Sequence, residues 1–322
     1  MPRAGGVWRP GATLATLQRR AQILATIRTF FAARGVLEVD TPQLSPVTAT
    51  DPLLASVPAQ PGADDASWFL QTSPEFAMKR LLAAGCGPIY QVARVFRRGE
   101  HGKRHNPEFS MLEWYRPGFD TARLAAEVAE LVAAVIGERP VRRTAWSVLF
   151  RAALGIDPFA ATDAELRACA AASAGAAVAD WTRDELLDLL FSEHVEPQLG
   201  AGCLHFVEAF PAARASLARV ISDADGNRIA DRFELFIDGC EMANGYNELL
   251  DAQELRARMQ ADNTQRLVRG LDVVPLDERL LAAMEHGLPP CAGVALGLDR
   301  LVMIDVGARD IDEVLAFSAH RA

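Results

Sequence analysis

The chain lacks the familiar phosphate-loop, dinucleotide-binding and serine-hydrolase signatures. It has no GxxxxGKS/T loop, no GxGxxG after a strand-like run and no GxSxG elbow. P-loop, dinucleotide-binding and serine-hydrolase chemistry are therefore unsupported. Cysteine is sparse: Cys86, Cys169, Cys203, Cys240 and Cys291 are scattered through 322 residues and form no CxxC pair. That pattern excludes a disulfide framework and a zinc ribbon and points to reduced thiols in a cytoplasmic protein. His101 and His105 are four apart, but Gly102, Lys103 and Arg104 between them read as loop, so no metal site is expected there. Long apolar runs are missing too. Ala168–Ala179 is mostly alanine and too short for a bilayer, and the first ten residues hold no apolar segment of a signal peptide. Net charge is −9, which argues against broad coating of nucleic acid. No internal repeat is visible.

Half of the residues are apolar, enough for a substantial core. The most informative stretch is 96–115. Ile89–Phe96 reads as a strand that delivers Arg97 at its end. The loop Arg98–Pro107 carries Arg98, His101, Lys103, Arg104 and His105, a dense cationic patch in an acidic chain. In the following strand the period of two puts Phe109, Met111, Glu113 and Tyr115 on one face. That face offers an aromatic plate, a carboxylate and a phenol beside phosphate-binding cations, which suits a nucleoside triphosphate and an amine-bearing substrate. An ordinary hairpin with a solvated basic loop would explain any one of these residues alone. It does not explain a carboxylate between Met111 and Tyr115, because an unpaired buried charge is costly.

Around this hairpin the chain alternates helices and strands. Leu14–Arg34 reads as a helix with Leu17, Ala21, Leu24, Ile27 and Phe31 on its apolar stripe, stopped by Gly35. Ser73 reads as the N-cap of a helix with Pro74 in its first turn. Thr121–Ile136 is helical, and 137–205 reads as an alanine-rich, mostly helical insertion. Ala230–Ile237 alternates as a strand. Asp251 caps another helix, with Glu254 completing a capping box. Leu276–His286 is a helix, Ala292–Leu296 a strand and Leu298–Ile304 the start of the last major helix. Hairpin-joined strands with helices around them predict an α+β fold built on an antiparallel sheet.

Two further clusters carry chemistry. Glu234, Glu241 and Glu248 recur every seven residues across two predicted strands, and such hard oxygen donors suit the Mg²⁺ that accompanies ATP. A solvated strand edge is the alternative. Asn244-Gly245 reads as a turn. In Gly293–Arg300 a glycine-containing strand runs into a helix whose first turn holds Arg300, within reach of a phosphate or of a salt bridge to Asp299.

The three clusters together resemble the class II aminoacyl-tRNA synthetases. Gly35 to Pro42 resembles motif 1, 96–115 motif 2 and 293–300 motif 3. His105-Asn106-Pro107-Glu108-Phe109, Ser73-Pro74-Glu75 and Asn244 to Leu249 resemble the lysyl branch. The resemblance implies a single catalytic domain over 1–322 and a homodimer formed through motif 1. It implies that Arg97 holds the α-phosphate and substrate carboxylate, that His105 touches the triphosphate and that Phe109 stacks on adenine. Arg300 would hold the γ-phosphate and cover the other adenine face, and Glu234 and Glu241 would bind Mg²⁺. Glu113, Glu248 and Tyr115 would bind the distal ammonium of lysine, Glu75 the proximal amine and Asn244 the carboxylate.

The chain also departs from lysyl-tRNA synthetases. Motif 1 is reached by Pro42, leaving no room for the N-terminal OB-fold barrel that reads an anticodon. Ala295 stands where that branch usually has glycine, and its methyl group would favour a β-amino acid. Met111 to Pro117 is more similar to the paralogues that modify bacterial elongation factor P. That likeness implies activation of (R)-β-lysine or lysine with ATP, transfer to a lysine side chain of elongation factor P, and neither stable tRNA binding nor membrane association. A free-standing core that charges tRNA and a catalytically inactive regulatory paralogue are the competing readings. Motif 2 usually runs Phe-Arg-x-Glu; here Gly99 takes the acidic position and the acid moves to Glu100, which is expected to replace it in part.

Overall fold

A computed structural model describes residues 8–62, 67–174, 178 and 180–322. The sequence reading of the extreme N-terminus and the end of the Ala168–Ala179 run lie partly outside them. In chain order the elements are α1 (Leu14–Ala32), β1 (Leu37–Glu38), β2 (Leu44–Ser45), β3 (Val57–Ala59), β4 (Trp68–Leu70), α2 (Glu75–Ala83), β5 (Ile89–Phe96), β6 (Glu108–Pro117) and α3 (Thr121–Ile136). There follow β7 (Val141–Ala145), α4 (Trp146–Leu154), α5 (Asp163–Ala174), α6 (Arg183–His194), β8 (Leu204–Pro211), β9 (Val220–Ser222), β10 (Arg228–Ile237) and β11 (Cys240–Asn247). The chain ends with α7 (Ala252–Val268), α8 (Glu278–Gly287), β12 (Cys291–Gly297) and α9 (Leu298–Val306). Among the described residues no helix is long and apolar enough to cross a membrane.

The chain divides into two compact units. The first comprises Met1–Phe119, Glu130–Gly137 and Leu249–Ala322, and the second Asp120–Ala129 and Glu138–Glu248. In the first unit β1, β5, β6 and β12 lie side by side in that order. β1 runs parallel to β5, whereas β6 is antiparallel to both β5 and β12. One side of this layer is closed by α1, whose Phe31 stacks on Tyr90 of β5 at 4.3 Å and meets Trp114 of β6 edge-on at 5.4 Å. β2, β4 and β3 form a separate small sheet. In the second unit β11, β10, β8 and β7 follow in order, with β9 on β10 and β7 parallel to β8. Its core gathers Trp146, Phe150, Phe191 and Phe210, contributed by α4, α6 and β8. The α+β, largely antiparallel expectation holds.

Local expectations needed four corrections. On α1, Ile27 and Phe31 are buried as expected, but Ile23 and Phe30 complete the buried face while Ala21 is exposed. Helix α2 begins one residue later than its cap signal, with Pro74 at the cap; Ser73 Oγ still accepts from Glu75 N at 3.0 Å. Asp251 caps α7 by accepting from Gln253 N and Glu254 N, but the Glu254 side chain pairs with Arg258. Asn244-Gly245 is no turn: both lie inside β11, and the β10–β11 turn is made at Asp238-Gly239. Gly245 sits opposite Phe233, and a Cβ there would come within 3.0 Å of three ring carbons. Close approach of an aromatic ring, not turn geometry, demands glycine.

Candidate active site

Arg97 leaves β5 with its backbone N–H donating to Pro107 O at 2.9 Å, which closes the neck of the basic loop. Its guanidinium lies over the Phe109 ring, 5.1 Å from the centroid. Gly99 adopts a positive φ of 83°, and the chain turns back so that Glu100 Oε1 stands 3.4 Å from Arg97 Nη1. The displaced acid of motif 2 therefore meets the arginine despite its one-residue shift. Further along the loop, Gly102 and His105 exchange backbone hydrogen bonds at 3.2 Å, and Ile311 N donates to Lys103 O at 2.8 Å. His105 is thereby presented to Arg300, whose Nη2 lies 2.8 Å from His105 Nε2. A guanidinium can only donate, so Nε2 accepts and the imidazole proton resides on Nδ1.

Asp299 takes partners away from Arg300. That carboxylate faces the sheet, where Oδ2 accepts from Ser110 N at 2.8 Å and Oδ1 meets Arg20 Nη1 at 2.6 Å. Arg20 also donates to Ser110 Oγ at 2.8 Å. One buried acid thus ties the start of α9 to β6 and α1 and leaves Arg300 facing the loop.

The residues of the first unit expected to bind the amine form a connected set. Glu113 is buried, and it accepts from Tyr115 OH at 2.7 Å and Ser73 Oγ at 2.8 Å. Ala295 on β12 is the cross-strand partner of Glu113 and packs against Ala93, Val95 and Met111. Glu75 lies in the first turn of α2, where its Oε1 receives Lys79 Nζ at 2.7 Å. Sequence reasoning missed Ser73 as a carboxylate partner and Lys79 altogether, although the Glu75–Lys79 spacing of four on a helix was a usable signal.

Glu234, Glu241, Asn244 and Glu248 lie in the second unit. Glu234 on β10 stands opposite Asn244 on β11 and contacts Arg232 Nη2. Burial pushes the Glu234 carboxyl up to about 7; Arg232 and Arg214 oppose this, while Glu241 and Glu196 add to it. Burial, with Glu241, likewise raises Glu196. The Asn244 Oδ1 atom is buried without a hydrogen-bond partner among the described residues, and Glu248 is 1% exposed. Acids that repel one another around a buried carboxylate are a donor set that a hard divalent cation would relieve. Two carboxylates fit Mg²⁺, which takes few protein ligands and fills its octahedron with water and phosphate oxygens. Among the described residues no group of three or more potential ligands occurs.

The family model of class II tRNA synthetases (D, K and N) matches residues 7–321. The chain belongs to that family. Among its relatives, the elongation factor P–(R)-β-lysine ligase of Pseudoalteromonas translucida is 50% identical over 98% of this chain and 99% of its own length. Proteins of the same name from Proteus mirabilis and Klebsiella pneumoniae are 48% and 47% identical, each over 98% of both chains.

Proposed function

We propose that this protein is an AMP-forming ligase that activates (R)-β-lysine with ATP and transfers it to a lysine side chain of elongation factor P. The observation that carries this reading is a buried carboxylate, Glu113, held by Ser73 and Tyr115 opposite Ala295 on the strand face that also bears Phe109. In a chain about half identical to ligases of that name from end to end, this face suits a substrate ammonium. A carboxylate oxygen of the amino acid attacks the α-phosphorus and pyrophosphate leaves. The acceptor amine then attacks the acyl carbon, loses its proton and displaces AMP.

Arg97 offsets charge at the α-phosphate, and His105 and Arg300 hold the outer phosphates. Phe109 is the platform for adenine, and Glu100 orients Arg97. Glu234 and Glu241 would hold Mg²⁺, which offsets phosphate charge when bound. Glu113, Tyr115 and Glu248 take the distal ammonium, Glu75 the proximal amine and Asn244 the carboxylate. Most of the rate enhancement comes from positioning and charge, so no enzyme nucleophile is needed. The protein works as a cytoplasmic homodimer without stable tRNA binding; Leu37, 54% exposed in edge strand β1, suits a dimer contact, and five free cysteines suit a reducing compartment.

The test is an acceptor competition with ATP, Mg²⁺ and (R)-β-lysine, offering elongation factor P and total tRNA together. Mass spectrometry should find one lysyl increment on the factor and none on tRNA. Charged tRNA, or transfer to neither, would refute the reading.

A further inference from the structure

Lysine is almost absent from this chain. Of its 33 lysine and arginine residues, only Lys79 and Lys103 are lysine. Lys103 is exposed on the basic loop. Lys79 is among the most deeply buried charged residues, 1% exposed on the inner face of α2. A long cationic side chain is rarely placed there, because stripping an ammonium of water costs several kcal/mol unless a partner compensates. Glu75, one helical turn back, is a partner at 2.7 Å. Arginine is the default cation of this protein. A guanidinium, however, brings five N–H groups in a rigid fork, whereas an ammonium is compact and sits at the end of a flexible stem. The choice of lysine fits a compact point charge set against a carboxylate.

The position of Glu75 gives that contact a use. Its backbone N–H is held by Ser73 Oγ, the same hydroxyl that donates to Glu113. The turn Ser73–Glu75 therefore sets two carboxylates at once, and Lys79 fixes the side chain of the second. We propose that Lys79 is a positioning residue for amino-acid recognition: it commits Oε1 of Glu75 and directs Oε2 to the proximal amine of the substrate. This rests on the reading above in which Glu75 receives that amine. The proximal amine then meets a carboxylate of fixed direction.

The experiment is ATP–pyrophosphate exchange by the full chain with (R)-β-lysine, comparing wild type, Lys79→Arg, Lys79→Met, Glu75→Gln and the double variant Glu75→Gln/Lys79→Met. Both single Lys79 variants should raise KM for the amino acid about tenfold or more while KM for ATP stays within about twofold. Lys79→Met should add nothing further on the Glu75→Gln background, because the two side chains act as one unit. Mere charge compensation predicts the opposite pattern: Lys79→Arg silent and Lys79→Met lowering KM. A purely structural role predicts lowered stability with both KM values unchanged. Either pattern overturns the assignment. The double variant buries no lone charge, so it tests the coupling even if Lys79→Met folds poorly. Wild-type protein that exchanges with neither lysine isomer overturns the functional reading and this assignment with it; active wild type with unaffected variants overturns the assignment alone.

Discussion

Gly245→Ala is a severe test of how β10 and β11 are packed. The Phe233 ring lies across the strand directly over Gly245, and it is itself fully buried. The ring cannot swing aside freely, because it meets Phe206 of β8 edge-on with centroids 5.5 Å apart. A methyl group at 245 would lie within 3.0 Å of three ring carbons, against a normal contact of about 3.5–4.0 Å. Either the ring leaves its rotamer or β11 moves away from β10. Overpacking of this kind costs about 1–3 kcal/mol, and the blocked escape route favours the upper end. Urea unfolding at pH 7 should therefore show a loss of about 2–3 kcal/mol for Gly245→Ala. Phe233→Leu removes the flat ring and should be destabilising alone, by about 1–2 kcal/mol through lost burial. Combined, the two changes should cost at least about 1 kcal/mol less than their sum, since the methyl group fills space that the ring vacates. A Gly245→Ala protein within about 0.5 kcal/mol of wild type, or strict additivity in the cycle, would refute the close-approach explanation. Asn244, proposed above to receive the substrate carboxylate, adjoins the glycine, so on that reading a displaced strand should also weaken binding of the amino acid.

Three further outcomes follow from the site. Burial holds Glu234 near 7 in the folded chain against an ordinary 4.5, so the proton favours the folded state. That contribution is fully present below pH 4.5 and is lost as pH rises through about 7, by about 3 kcal/mol; metal-free protein should show this decline in a urea series, and Glu234→Gln should flatten it. Ala295→Gly removes the methyl group beside Glu113 and should raise kcat/KM for α-lysine in pyrophosphate exchange by about tenfold, the scale of one methyl group in a pocket; no change would count against a gating role. Ser73→Ala removes a 2.8 Å hydrogen bond to a buried carboxylate, so KM for lysine should rise about tenfold with KM for ATP unmoved.

What could be read from the sequence divides along physical lines. The face shared by Phe109, Met111, Glu113 and Tyr115 was legible because a period of two fixes sides of a strand whatever packs on it. The strands β5, β6, β10 and β12 were found within one or two residues for the same reason. Partners were not legible. Glu113 takes its hydrogen bonds from Tyr115, two residues away, and from Ser73, forty residues back, and only the fold brings the second to it. Asp299 reads as a neighbour for Arg300, yet it serves Arg20 and Ser110, because β6 and α1 converge at the start of α9. Asn244-Gly245 carries a strong local turn signal that was overridden by the ring of Phe233. Local chemistry proposes a conformation; burial of a large side chain decides it.

The contacts among the candidate residues separate into two kinds, and the division bears on how a charged substrate can enter. Tyr115–Glu113 and Lys79–Glu75 are short, 2.7 Å each, and draw on side chains with little exposure. They fix the direction of carboxylates that must already be in place when an ammonium arrives, since preorganised groups need no rearrangement at the moment of reaction. Arg97–Glu100 is longer, 3.4 Å, and both of its side chains are more than a quarter exposed. Arg300 with His105 is exposed as well. Surface pairs of this kind are worth about 0–1 kcal/mol, so phosphate oxygens can replace Glu100 or His105 at little cost. On the proposed reading, the amine end of the site is therefore built rigid and the phosphate end exchangeable. Such an order suits an enzyme that must reject near-identical amino acids while it binds a triphosphate and then releases pyrophosphate and AMP from the same cations.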